Sequence, residues 1–308
     1  MFVLNLSDLM AIYFKAYIFI ILSMIIWGFS FVWSKTLLYI LSPIALISVR
    51  YLLAAFFSIL FLLWHKANFK IKRKHLVLLI ILALFEPFTY SFFEIYGIKL
   101  TSSGIAAIII STIPLAVTIA NFFYLKEKIT YLNLVGIFIS FAGITMIIID
   151  KSFTVYASYL GVLFLTGAVV SATISGFILK KLTNYYSIPT IISYQNIFSS
   201  FLFVPFFIYY YPQIININFS FSYLFPLLSL AILASIVAFT FYTYGITKIG
   251  LTKTMVFTNL IPIFTTIIAY FYFKEIITIQ KIFGIFIVIT GLFLSQQKKS
   301  EFFLSKKS

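Results

Sequence analysis

Long apolar runs separated by short polar segments make up almost the whole chain. Each run extends over about 20 residues, the length of a helix that crosses the hydrocarbon core of a bilayer. The connecting segments carry Lys, Pro, Asn or Gly and are too short to hold a soluble domain. We number the runs as spans 1 to 10, near residues 16–38, 44–64, 76–98, 104–125, 131–149, 158–179, 190–210, 223–246, 254–273 and 279–296. Because only helices and closed barrels satisfy the backbone in lipid, and the runs are too long for barrel strands, the pattern predicts an all-α polytopic membrane protein with ten transmembrane helices.

Composition agrees with a lipid bilayer as the surrounding medium. The 308 residues are 63% hydrophobic and 9% charged, with a mean hydropathy of +1.12, whereas about a quarter of a soluble domain is charged. The absence of cysteine from the sequence excludes disulfides and thiolate metal sites. The sequence has no glycine-rich phosphate loop and no cluster of metal-ligating residues, so no cofactor is expected and direct ATP drive is disfavoured.

Basic residues set the expected orientation. The net charge of +15 lies in short loops rather than on one face or arm, which argues against a nucleic-acid partner. With a cytoplasmic N-terminus, sixteen of the 22 basic residues fall on the cytoplasmic side and five on the other. We therefore expect a plasma (inner) membrane protein with both termini in the cytoplasm. His65 and His75 flank the most basic loop; they are too isolated for a metal site, and we expect them to be solvated.

The sequence contains an internal repeat. Residues 96–143 align without a gap with residues 244–291, at an offset of 148. The informative matches are Tyr96/Tyr244, Gly97/Gly245, Pro114/Pro262, Thr118/Thr266, Lys126-Glu127/Lys274-Glu275, Gly136/Gly284 and Gly143/Gly291. The front halves align more weakly near an offset of 146, where Pro43 faces Pro189 and Arg50 faces Asn196.

An odd number of spans per copy, together with the loop charges, predicts that the second copy enters the membrane from the opposite side. The expected organisation is a five-helix repeat in residues 1–150, an inverted repeat in 151–298 and a cytoplasmic tail in 299–308. Inverted repeats are typical of secondary transporters, which bind substrate near the midplane where the halves meet.

Three segments resemble the EamA family of the drug/metabolite transporter superfamily: "WGFSFVWSKTLL" (27–38), "SPIALISVRYLLAAF" (42–56) and the region of the repeat at 96–130. The second-half Pro262, Lys274-Glu275 and Gly284 are similar to the family's repeated domain, and the resemblance covers residues 16–296. It implies a ten-helix bundle of two inverted five-helix repeats that transports metabolites, often as an exporter. It also implies a cavity lined by spans 1, 3, 4, 6, 8 and 9, with spans 5 and 10 at the periphery.

Two of the seven acidic residues lie within span 3. An ionised carboxylate near the bilayer centre costs at least ~2.5 kcal/mol, so Glu86 should face a cavity or a partner. It is the candidate for proton coupling or for binding a cationic substrate group. The alternative is a protonated Glu86 that hydrogen-bonds a neighbouring helix. Pro87 removes a backbone donor and favours a kink beside the carboxylate.

Glu94 is expected nearer the outer mouth. On a continuous helix it would lie about 12 Å from Glu86 along the axis and be rotated by roughly 80°. Pairing with Arg50 or Lys99 is the favoured interpretation. Tyr90 would share the face of Glu86.

Spans 4 and 9 carry matched polar stripes at helical spacing. The members are Ser111, Pro114, Thr118 and Asn121 in span 4, and Asn259, Pro262 and Thr266 in span 9. Together with Pro87, the two prolines are candidate hinges, and their freed carbonyls are candidate substrate ligands. The alternative is plain interhelical packing, because Ser, Thr and Asn also join helices.

Aromatic and hydroxyl side chains on three further spans complete the candidate site. They are Trp27 and Ser30 in span 1, Ser175 in span 6 and Tyr242 in span 8. Aromatic walls with a few hydroxyls suit a small amphipathic substrate, and the ring faces can hold a cation.

The sequence favours a secondary-active exporter of small metabolites, amino acids above all, that works by alternating access and is not an enzyme. A proton-coupled exporter of cationic drugs is the alternative. Small exporters of this superfamily carry their essential carboxylate on the first span, where this chain has none. An intramembrane enzyme would need clustered His, Asp or Cys near an interface, and a scaffold would leave the inverted repeat without a purpose.

Overall fold

Ten helical segments form the protein in the computed structural model, which describes residues 6–66, 70–100, 109–124, 130–148, 158–217, 220–274 and 277–296. They are α1 (Leu6–Leu37), α2 (Pro43–Trp64), α3 (Arg73–Ala83 and Tyr90–Leu100), α4 (Ile113–Tyr124), α5 (Tyr131–Ile148), α6 (Tyr159–Leu182), α7 (Ile188–Ile215), α8 (Phe221–Ser229 and Ala238–Ile249), α9 (Leu251–Val256 and Ile261–Phe273) and α10 (Ile279–Gln296). Each coincides with one predicted span.

Eight of these segments are long and apolar enough to cross a membrane, and α4 and α5 are shorter apolar helices. The predicted all-α polytopic architecture is confirmed. The first helix begins at Leu6, well before the expected residue 16, because its extra residues contain good helix formers and neither Gly nor Pro. The proposed boundary near residue 150 and the tail 299–308 lie outside the described residues.

Two helices contain a π-helical turn at the same place in the two copies of the repeat, and one of them is also kinked there. A π-helical turn interrupts α3 at Leu84–Thr89 and another interrupts α8 at Leu230–Val237. Glu86 has an extended backbone, with φ −143° and ψ 123°. The residue before a proline is pushed out of the helical region by the proline ring, so Pro87 explains this conformation. The kink predicted in span 3 is confirmed; that in α8 was not predicted.

The last helix of each repeat packs against its own counterpart. In α5 and α10, the backbones approach so closely at four glycines that a side chain would collide. A Cβ atom on Gly143 would lie 2.7 Å from the carbonyl oxygen of Gly284, and one on Gly284 would lie 2.8 Å from that of Gly143. Gly136 and Gly291 make the same reciprocal contact farther along. Small residues permit such close helix packing.

A side-chain hydrogen bond joins α5 and α10 at each end of the helix pair. Asn133, at the start of α5, donates to the carbonyl of Ser295 at the end of α10. Gln280, at the start of α10, donates to the carbonyl of Met146 near the end of α5, at 3.0 Å. The start of each helix thus meets the end of the other. The two copies of this helix are therefore antiparallel.

The other main interfaces also join the first half to the second. Helix α1 packs along α8, α3 along α6, and α2 along α7. The largest core cluster includes Met24 of α1, Leu79 of α3, Val169 of α6 and Tyr242 of α8. The broken helices α3 and α8 therefore lie where residues from both halves converge.

Candidate functional site

The break in α3 exposes backbone carbonyls that the second half of the chain satisfies. The hydroxyl of Ser171 in α6 donates to the carbonyl of Phe85 at 2.7 Å, and Nε2 of Gln195 in α7 donates to that of Glu86 at 2.9 Å. Side chains of neighbouring helices are the usual means of satisfying a proline-broken helix in lipid. These bonds fix the backbone of Glu86.

The carboxylate of Glu86 has a partner from the second half. The Ser175 hydroxyl lies 2.6 Å from Oε2 of Glu86 and 2.9 Å from its own helix's Ala172 carbonyl, so it can donate to either. Ser175 is buried, and Glu86 as a whole residue is half-buried. Glu94 and Tyr242 are within electrostatic range of Glu86. All four are residues of the site that the sequence predicts, and they lie close together in the structure.

Glu94 has a partner on its own helix. The hydroxyl of Tyr90 donates to its Oε1 at 3.0 Å, and Tyr90 is also within electrostatic range of Glu86. The estimate of a 12 Å separation and an 80° rotation from Glu86 assumed one continuous helix. The break resets the helical phase, and a new helix begins at Tyr90, which places positions i and i+4 side by side. Arg50 is within electrostatic range of Glu94, as expected.

An aromatic group faces this region from α1 and α8. The Trp27 ring lies 5.1 Å from that of Tyr242 and 5.0 Å from that of Phe239, between ring centroids. Its Nε1 donates to the carbonyl of Ala234 in the α8 break at 3.2 Å. Trp27 of α1 thus contacts the π-helical turn of α8, as Ser175 of α6 contacts the break in α3.

The polar stripes of α4 and α9 form matching bonds within their own helices. Thr118 donates to the carbonyl of Pro114 at 2.7 Å, and Thr266 donates to that of Pro262 at 2.8 Å. The hydroxyls of Thr118 and Thr266 are thus bonded within their own helices, whereas the carbonyl that a proline frees is the one four residues before it. Ser30 likewise donates to the carbonyl of Trp27, at 2.7 Å.

The remaining stripe residues are buried. Asn121 donates to the Thr252 hydroxyl at 2.7 Å and so joins α4 to α9. Ser111 is also buried. Asn259 is 1% exposed, and neither atom of its amide has a hydrogen-bond partner in the described part of the chain. A substrate role for these residues, and hinge motion at the prolines, stay predictions.

Helices α2 and α7 contribute polar residues that the resemblance did not assign to a cavity. Arg50 donates through Nε to the Ser235 hydroxyl at 3.0 Å, and Asn196 donates to the Ser235 carbonyl at 3.1 Å. Arg50 and Asn196 thus contact the π-helical turn of α8, and Gln195 contacts the break in α3. The adjacent Gln195 and Asn196 in the middle of an apolar span were the signal that would have found them.

Comparison with known proteins shows the family. The model of the EamA-like transporter family matches residues 14–149 and again residues 159–296, which correspond to the two copies of the repeat. An uncharacterized transporter of Archaeoglobus fulgidus is 27% identical over 92% of this chain and 100% of its own length. The uncharacterized transporter YetK of Bacillus subtilis is 24% identical over 93% of this chain and 88% of its own length.

A solved crystal structure shares the fold. It superposes with a TM-score of 0.74 over 91% of this chain and 97% of its own, at 13% sequence identity. The family match covers most of the chain, the relatives align along nearly their full length, and the helices are long enough to cross a bilayer. The chain therefore belongs to the EamA-like transporter family and is an integral membrane transporter.

Proposed function

We propose that the protein is a secondary transporter that exports small metabolites, amino acids above all, by alternating access. The observation that carries the proposal is Glu86. Its carboxylate lies at a break in α3 and meets Ser175 of the second half. A carboxylate held between two halves can bind a proton or a substrate ammonium group, and its ligand changes when the halves rock.

The charges around the site suit a zwitterion. Glu86 and Glu94, together with the Trp27 ring, provide groups for an ammonium, since carboxylates and ring faces both attract cations. Nε of Arg50 donates to the hydroxyl of Ser235. The other guanidinium N–H groups of Arg50 can bind a substrate carboxylate. An amino acid carries both groups.

A proton-coupled exporter of cationic compounds is the second candidate. The aromatic group of Trp27, Phe239 and Tyr242 beside Glu86 favours it, because flat apolar cations stack on such rings. An exporter of cationic compounds does not need the positive charge of Arg50 for substrate binding. Replacing Arg50 therefore separates the two candidates.

The proposal includes opposite orientations of the two repeats and cytoplasmic termini in the plasma (inner) membrane. The antiparallel packing of α5 and α10 supports the opposite orientations, since equivalent helices of parallel repeats would point the same way. The excess of basic residues in alternate loops supports the orientation of the termini.

Transport into proteoliposomes, with and without a pH gradient, tests the assignment. Radiolabelled amino acids and a cationic dye serve as substrates for the unmodified protein, Glu86→Gln and Arg50→Gln. Glu301→Gln in the tail is the matched control. We expect Glu86→Gln to lose gradient-driven transport, and Arg50→Gln to lose amino-acid transport. If Glu86→Gln transports normally with unchanged pH sensitivity, Glu86 is structural. If Arg50→Gln still transports both the amino acids and the cationic dye, the amino-acid assignment is wrong.

A further inference from the structure

A cavity with a volume of about 590 Å³, which Glu86 does not line, lies at one end of the bundle. It lies between the end of α2, the start of α3 and the turn that joins α6 to α7. The first two elements belong to the first half of the chain, and the turn belongs to the second. Its polar lining includes His65, Lys70, Lys72, His75, Tyr186 and Thr190. The excess of basic loops places this end in the cytoplasm.

The lining is strongly cationic. Lys70 and Lys72 are exposed, and His65 and His75 lie beside them. Arg73 and Lys74 follow directly in the sequence and are also exposed. No carboxylate is among the described residues that line this cavity. A pocket of this composition attracts anions.

Two helices point their N-termini at the same cavity. Helix α3 begins after Lys72 and α7 begins after Ser187, and neither of these residues caps its helix with a side-chain hydrogen bond. Both residues line the cavity. A helix N-terminus carries a partial positive charge and free N–H donors, which favours phosphate and other anions. The helix ends thus add to the charge of the side chains.

The polar groups of the lining are already ordered. The backbone N–H of Lys72 donates to the hydroxyl of Tyr186 at 3.1 Å, and Nδ1 of His75 lies 2.9 Å from the same hydroxyl. His75 also packs on the ring of Tyr185, with the centroids 4.4 Å apart. His75 is only 5% exposed, so the expectation that it is solvated was wrong. These contacts hold the two halves together around the cavity.

The equivalent region in the other copy of the repeat has no comparable charge. At the offset of 146, the start of α7 corresponds to the start of α2, and the end of α2 to the end of α7. There, Ser42 donates to the side-chain oxygen of Gln213 at 2.8 Å. The loop after Gln213 contains no Lys, Arg or His. The fold alone therefore does not require the basic residues, which accord with a cytoplasmic position of this end.

The cavity lies at the level expected for lipid headgroups. Trp64 ends α2 next to His65 and is 84% exposed, and Tyr185 on the opposite wall is 55% exposed. Exposed Trp and Tyr mark the membrane interface. Basic pockets between transmembrane helices at the cytoplasmic side are suited to phosphate-bearing headgroups.

We propose that this basic cavity binds the phosphate group of an anionic ligand at the cytoplasmic surface of the membrane. The same chemistry would take the headgroup of an acidic phospholipid or a soluble phosphate. Bound there, the ligand would join the α2–α3 loop of the first half to the α6–α7 turn of the second. The inference is independent of the substrate that the Glu86 site carries.

Binding measurements on the purified full chain test the proposal. One arm uses nanodiscs of phosphatidylcholine with or without phosphatidylglycerol, and native mass spectrometry counts the retained phosphatidylglycerol. The other arm uses inorganic phosphate in detergent, with thermal stability as the readout. The variant is Lys70→Gln/Lys72→Gln. The control, Lys15→Gln/Lys248→Gln, removes the same charge from side chains that lie over Phe19 and Tyr244 and do not line the cavity.

We expect retention by the unmodified protein and by the control. Each basic residue near an anionic surface contributes about fivefold in affinity, so the variant should bind roughly twentyfold to thirtyfold more weakly. Binding in the lipid arm alone assigns the site to a phospholipid headgroup, and binding in both arms assigns it to phosphate in general. If neither arm shows binding, or if variant and control bind equally, the proposal is wrong. Because no arm measures transport, these outcomes leave the proposed transport function separately testable.

Discussion

The Ser140 hydroxyl donates to the carbonyl of Val288 across 3.2 Å, and these two residues occupy the same position in the two copies of the repeat. In a pair of helices related by a two-fold axis, the residues nearest the axis meet their own counterparts, and contacts on either side are reciprocal. Gly143 against Gly284, and Gly136 against Gly291, satisfy that rule. The axis therefore crosses the α5–α10 pair at Ser140 and Val288.

The first prediction concerns the glycines beside this axis. Gly143→Ala and Gly284→Ala each place a methyl group against the backbone of the opposite helix, which cannot yield as a flexible side chain would. We expect a loss of about 1–3 kcal/mol in stability, the usual cost of overpacking, read as a lower midpoint of thermal unfolding in detergent. The exposed Ala142→Val is the control on the same helix. Equal midpoints for all variants would mean that the helices are not in this contact.

The second prediction concerns the break in α3. Pro87→Ala removes the steric cause of the extended backbone at Glu86 and allows the helix to continue. The carboxylate would then turn away from Ser175. We expect transport to be lost while helix content by circular dichroism is kept or rises. Pro205→Ala, at an exposed position inside α7, should leave transport unchanged. A fully active Pro87→Ala would show that the break has no part in transport.

The third prediction separates two serines one turn apart on α6. Ser175→Ala removes the donor to the Glu86 carboxylate, and Ser171→Ala removes the donor to the Phe85 carbonyl. We expect Ser175→Ala to lower transport by roughly tenfold to a hundredfold, since a hydrogen bond to a charged group is worth ~1.5–3 kcal/mol. Ser171→Ala should mainly reduce thermal stability, by about 1 kcal/mol. The reverse assignment of the two effects would contradict the site.

The fourth prediction uses Trp27 as a reporter. The chain has three tryptophans, Trp27, Trp33 and Trp64, so Trp33→Phe/Trp64→Phe leaves a single fluorophore beside Tyr242. A transported substrate should change the emission of this variant in a saturable way. The same titration of Trp27→Phe/Trp64→Phe, which keeps Trp33 two turns along α1, should show little change. Similar responses from both variants would exclude Trp27 from the substrate site.

The sequence predicted the helices well because each must be apolar over a bilayer thickness. Span 10 matches α10 in both bounds, and the kink in α3 followed from Pro87. The break in α8 was missed since no proline follows the equivalent position, Ala234, and backbone contacts with Trp27 and Asn196 accompany it. Nothing in the local pattern specifies such contacts.

The hydrogen-bond pairings within the site were predicted less well than the residues that form it. Glu86 and Ser175 were both named, but their pairing depends on how α3 and α6 cross, which periodicity does not encode. The hydrogen bond from Tyr90 to Glu94 was likewise not predicted, although the two residues are four positions apart on one helix. The bonds of Thr118 and Thr266 to their own helices were also not predicted, and their role as substrate ligands stays a prediction.

Opposite orientation of the two repeats is the central claim, and thiol labelling of residues 126 and 274 tests it most directly. The positions are equivalent in the repeat, and the native chain has no cysteine to remove. Lys126→Cys and Lys274→Cys are treated in intact cells with a membrane-impermeant maleimide, with Lys66→Cys as the cytoplasmic reference and Tyr159→Cys as the outer one. We predict that position 274 is labelled from outside, like 159, and that position 126 reacts only after the membrane is opened, like 66. Labelling of 126 and 274 from the same side would contradict the inverted repeat and, with it, alternating access between the two halves.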